Sequence, residues 1–153
     1  MMRRLVLGSL LLGAPASVLL AADAANLTGT WHLNVEKSKW GRKPKPQSAE
    51  VTVEHAEPRL HYKGTVVTGL NGESRSFEFT GAIDGKEYPF GDGKITVKRV
   101  DARTTAAEYK SSDGRTVDRT RTTISEDGRT LTRQISSRGP QGNLSWTEVY
   151  EKR

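Results

Sequence analysis

The chain has 153 residues, a formal net charge of +6 and no cysteine. That length fits one domain with one core, and the missing thiols exclude disulfides, thiolate metal sites and a lipid anchor on cysteine. The basic excess favours anionic surfaces or solutes without naming one.

The first residues follow the order of an export signal. Arg3 and Arg4 precede an apolar run from Leu5 to Leu20, and small residues including Ala22 and Ala24 follow. Cleavage is expected after Ala24, which assigns residues 1–24 to a signal peptide and 25–153 to the folded domain. Gly13 and Pro15 interrupt the apolar run, which is short for a membrane span. The expected location is therefore periplasmic or secreted. Without Arg3, Arg4 and Asp23 the net charge becomes +5, and much of the excess lies in Lys37 to Lys45 and Arg115 to Arg138.

The domain opens on a strand. Trp31, Leu33 and Val35 alternate with Thr30, His32 and Asn34, the period of a sheet with one buried face. Gly29 lets the backbone bend into that strand, and the Trp31 indole supplies a large apolar plug. Glu36 to Ser48 has no apolar period and is broken by Gly41, Pro44 and Pro46. It reads as a basic loop, more mobile than the strands, with Trp40 tucked beneath it.

From Ala49 onward short alternating runs are separated by turn residues. Val51 and Val53 form one run. After Glu57-Pro58 comes a second, with Leu60, Tyr62, Gly64 and Val66 on one side and His61 and Lys63 on the other. Asn71-Gly72 is a tight hairpin signal. Arg75, Phe77 and Phe79 follow, then a short run Glu87 to Phe90, whose Pro89 suits an edge strand. Ile95, Val97 and Arg99 form the next run, then Thr105, Ala107 and Tyr109. Two similar turns, Ser112 to Thr116 and Glu126 to Thr130, share the order Asp-Gly-Arg-Thr. Gly139 to Gly142 turns the chain into a last strand carrying Leu144, Trp146, Glu148 and Tyr150 on one face.

Ten strands joined by short hairpins, with no helical pattern after the signal, predict an all-β, single up-and-down antiparallel barrel. The turns also predict register. Two-residue turns at Asp113-Gly114 and Asp127-Gly128 set Tyr109 opposite Asp118 and Ile124 opposite Leu131, with Glu108 against Arg119 outside. A four-residue turn at Gly139 to Gly142 sets Ile135 against Trp146, Arg133 against Glu148 and Leu131 against Tyr150. The inner face is poor in large aliphatic groups, which points to a partly wet cavity instead of a solid core. An ionised Glu148 inside a barrel needs a charge partner, and Arg133 is the expected one.

Gly29-Thr30-Trp31 resembles the G-x-W first-strand motif of the calycins, the lipocalins and fatty-acid-binding proteins. The strand order and the ending Thr147 to Lys152 are similar to the fatty-acid-binding branch. Leu33 to Gly41 also resembles small exported bacterial lipocalin-like proteins of undefined role. The resemblance implies a barrel cavity for a small lipophilic molecule. It departs at two points: a Pro-rich loop stands where that branch has a helical lid, and Glu148 stands where its Arg-x-Tyr motif has Arg. Tyr150 matches, but carboxylate capture by that motif does not carry over.

No enzymatic signature is found: no nucleophile elbow, no H-E-x-x-H spacing, no phosphate loop. The histidines His32, His55 and His61 read as surface residues. Nucleic-acid binding would need aromatics among cations on an exposed face, and the aromatics here mostly share the inner parity. The expected function is non-enzymatic binding of a small, largely apolar ligand by a monomer, without cofactor, metal or nucleic acid. The candidate ligand-binding residues are Tyr62, Phe79, Arg99, Tyr109, Arg133, Trp146, Glu148 and Tyr150. The alternative is an exported scaffold whose residues 37–45 associate weakly with an anionic surface or polymer.

Overall fold

The computed structural model describes residues 24–153, so the expected signal peptide lies, but for Ala24, outside the described residues. Ten strands follow in order: β1 (Gly29–Leu33), β2 (Ser48–Ala56), β3 (Arg59–Thr68), β4 (Glu73–Ala82), β5 (Glu87–Phe90), β6 (Gly93–Asp101), β7 (Thr104–Lys110), β8 (Val117–Ile124), β9 (Thr130–Gly139) and β10 (Gly142–Lys152). They form one antiparallel sheet in the order β4-β3-β2-β1-β10-β9-β8-β7-β6-β5, a nearly closed up-and-down barrel. The predicted meander is therefore the fold.

The hairpins set the register as their turn chemistry dictates. Tyr109 faces Asp118, Ile124 faces Leu131, and Arg119 donates to Glu108 at 2.9 Å on the outer wall. In both similar turns the aspartate accepts from the backbone two residues on, Asp113 from Arg115 N–H and Asp127 from Arg129 N–H. Both turns close with a serine oxygen accepting a threonine N–H, Ser111 from Thr116 and Ser125 from Thr130.

Strand β1 has five residues, yet it bridges β2 and β10 and so joins the two ends of the sequence. Trp31 is 0% exposed, and its indole N–H donates to Leu27 O at 2.9 Å. Gly29 takes a positive φ of 148°, and any Cβ there would collide with the Lys152 side chain, which stretches over Trp31. This end of the barrel is packed. Val53, Leu60, Phe79, Ile83, Val97, Ile124, Leu131 and Tyr150 are buried around Trp31.

The histidine at this end corrects the surface reading. His55 follows Val51 and Val53 on the inward parity of β2, and its side chain is 2% exposed. Burial is tolerated because every polar atom is used. Nδ1 accepts the Leu27 N–H at 3.0 Å, which leaves Nε2 to donate to Glu57 at 2.6 Å. Arg99 clamps the same carboxylate with two bonds of 2.9 and 2.6 Å. Burial works against the Glu57 charge, but Arg99 and His55 outweigh it and hold the carboxyl below its ordinary value.

The loop expected to be mobile is docked. Lys39 and Thr147 exchange backbone hydrogen bonds of 2.8 Å in both directions, so the loop runs along the free edge of β10. Ser38 Oγ accepts from Val149 N–H, and Arg42 donates to Asn143 O at 2.6 Å. Trp40 is tucked, 6% exposed, with its N–H on Val35 O.

β4 and β5 end the strand order and are not hydrogen-bonded to each other. Aromatic rings fill the seam. Phe79 meets Tyr88 and Phe90 edge-on at 6.0 and 6.3 Å, and Tyr88 lies against Gly81, where a Cβ would stand 2.8 Å from the ring. Pro89 sits on this unpaired edge, where its missing N–H costs no ladder bond.

Replacing Trp31 by Ala should destabilise the barrel by about 3–5 kcal/mol in urea unfolding, the range for a large buried aromatic. A loss below about 1 kcal/mol would show that the indole is not the plug of this end. A second expectation concerns acid. Because Glu57 is held below 4.5 in the fold, its stabilisation is complete above that pH and fades as the pH falls through the lowered value. Thermal melts of Glu57→Gln should therefore lack this part of the acid sensitivity; equal slopes for both proteins would contradict it.

Candidate functional site

The interior is uneven along the barrel axis. Around Trp31 the inward residues are packed; towards the loops at 36–47, 69–72 and 111–116 the inward Tyr62, Val66, Phe77, Phe90, Tyr109 and Trp146 stay half-exposed. Aromatic rings dominate this open half. Tyr62 stacks on Phe79 at 5.1 Å and meets Phe77 and Phe90 at 6.2 Å, and Phe90 meets Tyr109 at 5.9 Å. Such contacts fix the rings and leave a smooth apolar wall.

On the facing wall β9 and β10 place a polar cluster. The register pairs Arg133 with Glu148, Ile135 with Trp146 and Leu131 with Tyr150, as the last turn predicts. Arg133 Nη1 donates to Glu148 Oε2 at 2.9 Å, and the Trp146 indole N–H donates to Oε1 at 2.9 Å. Both carboxylate oxygens are thus occupied. The Glu148 side chain is 13% exposed and that of Arg133 36%, so solvent reaches the guanidinium inside the barrel.

The electrostatics follow from this pairing. Burial opposes the Arg133 charge, but the Glu148 carboxylate more than offsets it and raises the group. Burial pushes the Tyr62 hydroxyl up to about 12, with Arg133 pulling the other way. Tyr150 is likewise raised to about 12 by burial against the pull of Arg133. Both phenols are neutral hydrogen-bond donors in ordinary conditions. At the rim the Tyr109 hydroxyl donates to Asp92, whose carboxylate is the main cause of its rise to about 12.

The structure brings six of the eight sequence-derived residues together: Tyr62, Phe79, Arg133, Trp146, Glu148 and Tyr150. Tyr109 joins through Phe90 at the far rim. Arg99 does not join, since Glu57 holds its guanidinium at the packed end. Three further residues belong to the site. Phe77 and Phe90 extend the aromatic wall, a role their inward parity allowed. Lys43 lies over the Trp146 ring at 4.5 Å from the basic loop, a contact that no periodicity encodes. Asp118, facing Tyr109 and Ser137, has an Oδ1 that is buried without a hydrogen-bond partner.

Among the described residues no group of three or more His, Asp or Glu is placed to hold a metal ion. His32 lies 3.3 Å from Glu50, and His61 sits between Glu54 and Glu78 on the outer wall. Comparison with protein-family models gives no match, and neither does comparison with curated proteins. The fold therefore stands as a ten-stranded barrel compatible with the calycin architecture.

Glu148→Gln should cost about 2 kcal/mol in urea unfolding, less than for a fully dry ion pair because Arg133 still meets solvent. The pair Arg133→Met with Glu148→Leu should lose less than the two single changes summed. Strict additivity in that cycle would mean that the two side chains do not interact.

Proposed function

We propose that this chain is an exported, calycin-like carrier that holds a small, largely apolar molecule in the open half of its barrel, without catalysis. The observation that carries this reading is the divided interior: one half packed around Trp31, the other lined by half-exposed rings. A barrel stabilised only for its own sake gains by filling that second half as well. Gly29-Thr30-Trp31 on the first strand and the ten-strand meander support the calycin part, and the apolar run after Arg3 and Arg4 supports export to the periplasm or beyond.

The ligand's character follows from the polar cluster. Arg133 and Glu148 neutralise one another, so the guanidinium inside the barrel is not left to take a ligand carboxylate. Neutral or zwitterionic molecules suit this wall better than fatty acids, and the Tyr62 hydroxyl offers a donor to a polar end. A free Asp118 oxygen suits a ligand that also donates a hydrogen bond. The protein acts as a monomer in this reading.

A lipophilic, environment-sensitive dye should bind saturably at one site per chain and be displaced by neutral lipids. Trp146→Ala should weaken it about tenfold, or about 1.4 kcal/mol, by removing ring surface from the wall. Glu148→Gln should shift preference towards carboxylate ligands, since it frees Arg133. A chain that is folded yet binds no dye or lipid would remove the carrier reading.

A further inference from the structure

The outer wall carries a feature separate from the cavity. One line of paired residues crosses five strands and the docked loop: Lys98 faces Ala106, Ala106 faces Arg121, Arg121 faces Gln134, Gln134 faces Thr147, and Thr147 faces Lys39. Cross-strand partners share a face, so all six side chains point outward. Three are cations, and the residues between them are short or neutral. The result is a groove of about 930 Å³.

These cations are exposed, and among the described residues none of the three has a carboxylate within 4.0 Å. Adjacent strands lie about 4.8 Å apart, which spaces Lys98 from Arg121 by roughly 10 Å and Arg121 from Lys39 by roughly 14 Å. The neighbouring line across the same strands contributes Thr96, Ser136 and Ser145 to the floor. It holds the one carboxylate of the groove, Glu108, which Arg119 and Lys110 already neutralise at 2.9 and 3.3 Å. The opposite outer wall differs. Its groove of about 610 Å³ mixes Lys63 with Glu50 and Glu78.

We propose that the outer face of β6–β10 binds a linear acidic polysaccharide, with Lys98, Arg121 and Lys39 on its carboxylates and the hydroxyl and amide floor on its sugars. Widely spaced cations match a polymer that carries charge at intervals, and Ser, Thr and Gln side chains exchange hydrogen bonds with sugar hydroxyls. Single-stranded nucleic acid fits less well, because the one aromatic lining the groove, Trp146, is held by its N–H on Glu148 with Lys43 over its ring, and neither outward line offers another ring on which bases could stack. A membrane surface fits less well too, because a recessed floor of Ala, Ser and Thr offers no protruding apolar group to insert. The basic loop takes part through Lys39, which its backbone pairing to Thr147 fixes in line with the strand cations.

The test is titration of the intact chain with an oligouronate long enough to span the three cations, at low and physiological salt. Binding should weaken with salt, as contacts between exposed charges do. Lys98→Gln with Arg121→Gln should lower affinity at least about tenfold, whereas Arg115→Gln with Arg138→Gln, outside the line, should leave it within about twofold. Both variants replace exposed side chains, and unchanged melting temperature with unchanged dye binding in the cavity will separate loss of the groove from loss of the fold. No oligouronate binding at low salt overturns the proposal, as does binding that both variants leave intact. Tighter binding of a single-stranded oligonucleotide of equal charge, or of anionic vesicles only, overturns it in favour of that partner. The cavity reading stands or falls separately, on the dye alone.

Discussion

Everything in this barrel depends on the five residues of β1 holding β2 on one side and β10 on the other. Without that double pairing the sheet is two separate meanders, Ser48 to Ala82 and Glu87 to Lys152, each with an apolar face open to water. No disulfide ties them. So short a strand offers few ladder bonds, and the Trp31 indole adds what they lack, a large apolar surface shared by both halves. The N-terminal segment strengthens the same place, because Leu27 receives the indole N–H and gives its own to His55. Thr28 adds a second tie to His55, donating to its carbonyl and accepting its N–H.

The packed end and the open end thus have different work. At the packed end a buried histidine, a carboxylate and a guanidinium satisfy one another, and a polar trio survives inside because no atom of it lacks a partner. At the open end the Arg133–Glu148 pair repeats that logic in a wetter place. Both Glu148 oxygens are taken up, by Arg133 and by Trp146, while the guanidinium still meets solvent and the ring faces around it stay partly uncovered. Two ion pairs on the same inner surface therefore stand in different settings, one enclosed at the packed end and one partly open to solvent.

Most of the fold was legible because it was written locally. Asp-Gly turns set hairpin register, and register set which side chains meet, so even the Arg133–Glu148 contact could be read from the turn at Gly139 to Gly142. What escaped was non-local. His55 has a polar side chain on an inward position, and only its partners from the N-terminal segment and from Glu57 make that position tolerable. Arg99 was legible as inward but not as captured, since Glu57 stands 42 residues away in a turn. The basic loop lacks apolar period, and its order comes from backbone pairing with β10, to which side-chain patterns are blind. The cationic line outside is hidden for a related reason: its members lie on separate strands, and only the full set of registers aligns them.

The seam between β4 and β5 gives the barrel one joint in an otherwise continuous ladder. Elsewhere around the wall, widening the sheet breaks backbone hydrogen bonds in proportion to the length opened. Here no strand ladder joins β4 to β5, and Phe79, Tyr88 and Phe90 lean across the gap, with the Glu57–Arg99 pair and the Gly85 N–H on Val97 O tying the two sides at the packed end. Rotation of a ring about its side-chain bonds is a small, fast event beside the parting of two strands. Along β4 and β5 the closure of the wall is thus a property of three aromatic side chains instead of a backbone ladder.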